Sequence, residues 1–448
     1  MRTSSDTPVA IIGGGILGLS LGWQLTRSGV KVQIFERDRT LGGLAASMDL
    51  DGLQVDRFYH VILPTDRHVI DLATELGVEE RLQFRNTKVG YFDQGQMYSL
   101  SSLVEFLRFK PLSLVERLRL AAFVLYCQRL TGWQALDRIA LEQWLVRLCG
   151  QSLYQKMWLP LLKSKFDDDP SHLPATYLWA RTRRMSSNRD SSAARESMGC
   201  LVGGYQVLAD ALAEAIRSAG GEIFTGVKVK ELACEAGRVT GLRTDAGSFA
   251  CRSVISTLLP EYLQPLLPGS VRLEPQRYLG IVCLVLKLSA SVSPYYTVNI
   301  TDRSIPFTTV VETSRVIGSE NLGGHSLLYV PKYVAPDSPY FDRSDEQIQA
   351  EFLHHLGRMF PDFRPEQIVT SRVMRARAIE PVHELEAGLR VESVYAPLPG
   401  LYQTSTAQIY PALVNCEAVI ALAENVFERL RPDLVLSNTS FQEASHVR

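Results

Sequence analysis

No charge of either sign predominates in this chain: 47 Lys+Arg stand against 48 Asp+Glu, a formal net charge of −1 over 448 residues. That balance argues against a nucleic-acid binder working through a broad basic face, and no nucleic-acid partner is expected. Long hydrophobic runs are missing too. Nothing approaches the ~20 apolar residues of a spanning helix, and the apolar stretch 9–25 is broken by glycines and by Gln24. No basic segment precedes an apolar one at the start, so no signal peptide is expected. Cysteine is sparse and scattered. Cys127, Cys149, Cys200, Cys234, Cys251, Cys283 and Cys416 form no C-x-x-C pair, which excludes a disulfide framework and a zinc site and fits a reducing cytoplasm. A Ser/His/Asp order, an H-E-x-x-H motif and a P-loop are all absent. Asp167-Asp168-Asp169 read as a solvated loop or helix cap, because consecutive acids point in different directions. No metal is expected.

What is present begins at Val9-Ala10-Ile11-Ile12, a short apolar run with the mark of a strand buried on both faces. Gly13-Gly14-Gly15-Ile16-Leu17-Gly18 follows, a G-x-G-x-x-G match. Leu17, Leu21 and Leu25 then recur at helical spacing up to Gly29, a helix stop. Residues 30–35 read as a second strand, with Glu36 at its end. The order has a chemical logic. Gly13 permits a tight turn, Gly15 lets the backbone approach a pyrophosphate, and Gly18 lets helix pack close to strand. The helix N-terminus supplies amide donors. Glu36 stands where a carboxylate can accept hydrogen bonds from ribose hydroxyls, and it disfavours the 2′-phosphate of NADP. The alternative is a βαβ unit with an incidental glycine turn.

Six residues past Glu36 comes Gly42-Gly43-Leu44-Ala45-Ala46-Ser47. Taken together, residues 13–19, Glu36 and this second glycine pair resemble the flavoprotein superfamily of amine oxidases, protoporphyrinogen oxidases, carotenoid desaturases and UDP-galactopyranose mutases. The resemblance implies FAD as cofactor. Gly13, Gly14, Gly15, Ile16, Leu17, Gly18, Gly42, Gly43, Leu44 and Ala45 would lie at its pyrophosphate, and Glu36 and Arg37 at the adenosine side. Residues 201–208, a helix at 209–218 and a strand at 220–229 match a later segment, in which Val229 would contact the adenine side through its backbone. Residues 254–257 match the strand that re-enters the nucleotide domain. Near the C-terminus, residues 400–407 and the helix 418–430 match the segment closing on the flavin, and Ala407 and Asn415 are carried over as contacts. The usual glycine-aspartate before that helix and the usual glycine within it are absent here, which blurs the ring contacts.

The fold class implied is α/β: a Rossmann-like FAD-binding domain with an inserted α+β substrate-binding domain, as in two-domain amine oxidase-like flavoproteins. Residues 1–75, 195–290 and 395–436 would form a discontinuous nucleotide domain, residues 76–194 and 291–394 a substrate domain with a helical cap, and 437–448 a frayed tail. Residues 100–160 are helix-rich. Leu103, Phe106 and Leu107, then Leu114, Leu118, Ala121 and Leu125, follow helical periodicity among Arg108, Lys110, Arg117 and Arg119. Two readings stay open there: a helical cap with solvated charges, or a peripheral membrane contact. Strand-like runs at 279–288 and 326–330 suggest a mixed or antiparallel sheet flooring the substrate cavity. The Ser/Arg-rich stretch 181–195 reads as a mobile loop.

Three residues are candidates for catalysis. His60, in Asp56-Arg57-Phe58-Tyr59-His60-Val61-Ile62, occupies a place where the superfamily has a strand ending beside the flavin. It would hydrogen-bond near the ring and shuttle a proton, or else cap a strand. Lys165, set with Lys163 in the run 158–166, would meet the flavin or bind an anionic substrate if desolvated; otherwise it is a surface lysine. Tyr410 would line the ring's face. Tyr177, Trp179 and Arg181, on one helix, either line the cavity or pack in the core. The chain therefore reads as an FAD-dependent oxidoreductase acting on a C–N or C–C bond of a small molecule. Alternatives are a redox-neutral isomerase like the sugar mutases and an FAD-stabilised scaffold. No second G-x-G-x-x-G is visible for NADPH. Substrate, electron acceptor and oligomeric state are not written in the chain.

Overall fold

The computed structural model describes residues 7–166, 170–186 and 196–436. Its first sheet has six strands, in the order Tyr395–Leu398, Leu401–Gln403, Ser253–Ser256, Val9–Ile12, Val32–Glu36 and Glu222–Thr225. Val9–Ile12 pairs in parallel with Ser253–Ser256 on one side and with Val32–Glu36 on the other. Every side chain of Val9–Ile12 is buried, because both sheet faces are covered. Val9 and Ile11 pack with helices Ile16–Arg27, Gln206–Ser218 and Cys416–Arg431. Ala10 and Ile12 pack with Val229, Leu232, Val239 and Leu242 of a three-stranded antiparallel sheet on the opposite face. The period of two along a strand thus divides one four-residue run between two cores.

The second sheet has seven strands, in the order Ile368–Pro381, Tyr278–Leu288, Ser326–Val334, Thr309–Glu312, Thr297–Ile300, Val89–Asp93 and Gln96–Ser99. Tyr278–Leu288, which the sequence reading placed in the 195–290 nucleotide segment, is hydrogen-bonded into this sheet, antiparallel to both neighbours. Leu279, Ile281, Cys283 and Val285 face the helical cap, joined there by Tyr329 and Tyr333. Val282, Leu284, Leu286 and Leu288 face the other way, among Ile348, Phe352 and Leu356 of helix Asp345–Met359.

The cap comprises Leu103–Leu107, Leu114–Arg129, Leu141–Cys149, Leu159–Phe166 and Thr176–Ser186. Helix Leu114–Arg129 starts at a capping box, with Ser113 and Glu116 satisfying each other's backbone amides. Its buried stripe is Leu120, Phe123 and Cys127. The periodic leucines of the sequence reading, Leu114, Leu118 and Leu125, instead face outward at 58%, 60% and 48% exposure. Both sides of this helix are apolar, so periodicity alone does not say which side meets the protein. Residues 181–186, read as part of a loop, are the end of helix Thr176–Ser186. The rest of that stretch, the acids 167–169 and the tail 437–448 lie outside the described residues.

Candidate active site

The glycine motif forms an anion cradle. Gly13 has φ +110°, and a Cβ added there would come within 2.3 Å of Thr257 Oγ1. At Gly18 an added Cβ would stand 2.0 Å from the Gly13 carbonyl oxygen. Gly15 differs: nothing lies closer than 3.9 Å to its added Cβ. The open side at Gly15 is the N-terminus of helix Ile16–Arg27, which has no side-chain cap and no acid in its first turn. Its first amides are therefore left for an anion. Gly42 bonds this turn through its amide to the Gly14 carbonyl, 2.8 Å, and an added Cβ on Gly43 would sit 3.3 Å from Gly15 Cα. The two glycine pairs, 28 positions apart in their central members, thus face each other across bare backbone. Leu44 is part-exposed beside them and Ala45 is buried.

Glu36 closes the cradle. Its Oε2 accepts the Gly14 amide at 2.7 Å and its Oε1 the Asp38 amide at 2.9 Å. Each oxygen keeps a further lone pair for a ribose hydroxyl. Arg37 stands outside it, exposed, against Asp38 and the Tyr262 ring. Val229 is the buried first residue of strand Val229–Glu235, paired with Thr244. Its neighbour Val227, which sequence reasoning passed over, donates its amide to the Glu36 carbonyl at 2.9 Å and so lies closer to Glu36 than Val229 does in the chain's hydrogen bonding. A chain that offers uncapped amides, a Cβ-free cleft and a fixed acid fits an adenine dinucleotide.

A cavity lies between the helical cap, the second sheet and the turn that precedes helix Cys416–Arg431. Asn415 caps that helix, its Oδ1 accepting the Ala418 amide at 3.0 Å. Ala407 is buried in the preceding turn, where its amide donates to Ser405 Oγ. Residues 410–414 wall one cavity together with Phe166, Tyr177, Glu380 and His383. Tyr410 is fixed in that wall: its hydroxyl donates to Asp137 and lies 2.7 Å from Thr176 Oγ1.

Lys165 is not a surface lysine. Its ammonium is ion-paired to Glu380 and sits 3.2 Å from the Tyr333 ring centroid. Burial drives its pKa down, and the Glu380 carboxylate opposes that shift. Around the pair stand Tyr59, Tyr177, Tyr333 and Arg181. Tyr59 and Tyr333 share a hydroxyl contact of 3.1 Å. Burial raises all three tyrosine pKa values, so they stay phenols at neutral pH and keep a proton to donate. Trp179 packs in the core instead, its indole donating to the Leu130 carbonyl.

His60 lines a second cavity, of about 230 Å³, together with Asp56, Tyr59, Arg81 and Asn321. Its Nδ1 is 3.4 Å from Asp56 Oδ2, and its ring meets Tyr205 edge-on at 5.0 Å. Asp56 is itself held by the Tyr205 amide, so the imidazole has a fixed orienting group. His383 escaped the sequence reading. It lies in the first cavity's wall with Nε2 buried and lacking a hydrogen-bond partner, and burial pulls its pKa down to about 4. Nothing in its surroundings along the chain, Pro381-Val382-His383-Glu384, distinguishes it from a surface histidine.

Residues 18–414 match the family model of flavin-containing amine oxidoreductases. The chain belongs to that family. It is a flavin-dependent oxidoreductase, and FAD is its cofactor. Among curated relatives of this oxidoreductase, the 15-cis-phytoene desaturase of Synechococcus elongatus is 22% identical over 393 residues, 79% of this chain and 80% of that protein. The mitochondrial protoporphyrinogen oxidase of Nicotiana tabacum is 34% identical, over only 18% of this chain and 16% of that protein. Solved structures share the fold across nearly the whole oxidoreductase. A candidate protoporphyrinogen oxidase from Exiguobacterium sp. 255-15 has a TM-score of 0.76 at 19% identity, covering 96% of this chain and 100% of that one. Putrescine oxidase bound to putrescine gives 0.70 at 14% identity, covering 95% and 98%. Reduced UDP-galactopyranose mutase gives 0.65 at 16%, covering 86% and 84%. Among the described residues, no group of three or more His, Cys, Asp or Glu side chains gathers to hold a metal ion.

Proposed function

We propose that this flavoenzyme oxidises a C–N or C–C bond of a small organic substrate held between Tyr59, Lys165, Tyr177, Tyr333 and Glu380. The observation that carries this reading is the buried Lys165–Glu380 pair inside a phenol-lined space, with the helix Cys416–Arg431 beginning at the same cavity wall. Bound FAD supplies a two-electron acceptor at N5 for a hydride from the substrate carbon. The chain's own groups would bind and orient. Gly15, Gly42 and Gly43 hold the pyrophosphate, and Glu36 the ribose. The aromatic walls exclude water, which strengthens every charge interaction inside. The N-terminus of helix Cys416–Arg431 favours negative charge at the cavity wall. His60, oriented by Asp56, would accept or return the substrate's proton.

The purified yellow protein, mixed anaerobically with candidate amines and desaturation substrates, should lose its flavin absorption with a matching substrate and regain it with an acceptor. A second reading, redox-neutral isomerisation of a nucleotide-sugar, is supported by the mutase-like fold and by the cations Lys165 and Arg181 near the cavity. Turnover that needs prior reduction and leaves the flavin reduced would favour it over oxidation.

We also propose that the cap touches an anionic membrane surface. Among the described residues, eight of the fourteen exposed large hydrophobic side chains, including Leu103, Leu107, Leu114, Val115, Leu118 and Leu125, lie on two consecutive cap helices. Exposed Arg108, Lys110, Arg119 and Arg129 flank them, the pattern that lies on a bilayer rather than through it. No helix among the described residues is long and apolar enough to cross one. The seven free thiols support a cytoplasmic location.

A further inference from the structure

The cavity of about 230 Å³ has Leu53, Val55, Val316 and Leu327 in its walls. An apolar cavity of about 150 Å³ already takes benzene, so this one admits a substituted ring. Its charged groups are engaged or outside. Asp56 accepts the Tyr205 amide and faces the His60 imidazole, while Arg81 is exposed beside Glu80. Among the described residues, an ionised ligand group therefore meets no free counter-charge inside.

Three tyrosines line the same space, and two of their hydroxyls have partners. Tyr329 donates to the Asp56 carbonyl at 2.7 Å, and the Tyr59 hydroxyl lies 3.1 Å from that of Tyr333. Tyr296 is different. Only 5% of it is exposed, and its hydroxyl has no hydrogen-bond partner among the described residues. That oxygen is not sealed into the packing, as His383 Nε2 is, so it faces the free space of the cavity. The backbone holds the residue in place: its amide donates to the Lys88 carbonyl at 2.9 Å, and its carbonyl accepts the Glu312 amide at 2.7 Å. Burial raises the pKa of Tyr296, so it stays a phenol with a proton to donate. Buried donors are normally paired, and a phenol facing an uncharged apolar space matches a neutral acceptor. From this we infer that the Tyr296 hydroxyl anchors a carbonyl oxygen carried on an apolar, ring-sized body of the substrate. Tyr59 and His60, which the proposed reaction uses, line the same cavity, and the inference rests on that reading.

Holoenzyme with its flavin bound is titrated calorimetrically with acetophenone and with α-methylstyrene, which has a methylene group in place of the carbonyl oxygen. Acetophenone should bind the wild-type protein. Tyr296→Phe should weaken it about tenfold, as expected for a lost hydrogen bond that strands the acceptor. The affinity for α-methylstyrene should be little affected. Because the hydroxyl has no partner in the free protein, Tyr296→Phe should melt no lower than wild type, which separates recognition from a structural role. Absence of acetophenone binding to wild-type protein up to its solubility overturns the proposal, and that measurement needs no variant. So does equal acetophenone affinity in the two proteins, which would leave the hydroxyl to bound water alone. A lower melting temperature with both ligands weakened alike would mean a structural role and overturns it as well. Failure of the underlying reading has a different signature: bound flavin that no candidate amine or desaturation substrate reduces.

Discussion

Gly15 and Gly18 sit three positions apart in one turn, and a side chain at each has a different consequence. At Gly18 the new atom would strike the Gly13 carbonyl oxygen, which is backbone and has nowhere to go. Gly18→Ala should therefore cost about 3 kcal/mol or more of stability, read by denaturant melts. At Gly15 the added atom meets open space. Gly15→Val should keep its circular dichroism and melting behaviour while FAD affinity falls roughly tenfold or more, about the worth of one charged hydrogen bond. His383 makes a third test at this scale. Its pKa in the fold is about 4 against an ordinary 6.5, because burial penalises the charged ring. Between those values the unfolded chain binds the proton and the folded one does not. Stability is thus fully present above pH ~6.5 and declines as pH falls toward 4, by about 3 kcal/mol in all. His383→Gln should flatten that decline in melts taken between pH 7 and 4.

Elements show how far sequence patterns reach. The strand–glycine–helix–strand–acid unit was legible because each of its requirements is local. A run of four apolar residues, glycines where a Cβ would collide, and an acid at the strand end all sit within residues 9–36. Helix Leu114–Arg129 was legible as a helix but not in its orientation. Leu114, Leu118 and Leu125 repeat as well as Leu120, Phe123 and Cys127 do, and only packing against the Trp144 and Trp158 rings selects the second set. The helix start is fixed by Ser113, whose hydroxyl accepts the Glu116 amide. Ser113→Ala should cost about 1 kcal/mol, checked by chemical denaturation. Glu116 also bonds Ser152 and Lys156, which ties this start to the rest of the cap.

At the scale of the whole molecule, the cap has one face on the cavity and one on solvent. If the outward face meets anionic lipid, the protein should sediment with vesicles containing phosphatidylserine and much less with pure phosphatidylcholine. Binding should weaken as salt rises, since surface charges are screened within ~10 Å at 0.1 M. Leu107→Glu/Leu118→Glu should abolish the sedimentation and leave the flavin spectrum unchanged. Salt-independent self-association in its place, lost in the same double variant, would mean that a second copy of the chain covers this face. The proposed substrate space itself exists only at this scale. Lys165 and Glu380 are 215 positions apart, and Tyr59 and Tyr333 are 274 apart.

The chain by itself determined the nucleotide cradle, because steric exclusion at glycines and amide donation at a helix start act between near neighbours, while the choice of flavin came from the resemblance carried by the second glycine pair. It also determined that residues 100–160 would be helical and that 279–288 and 326–330 would be strands. Tertiary structure alone decided which apolar stripe faced inward, and which of several lysines and histidines lost their water. Lys165 and His383 look like any solvated residue of their type when read in order along the chain. Their chemistry comes from desolvation and from partners on distant strands and helices, and neither is encoded in local spacing.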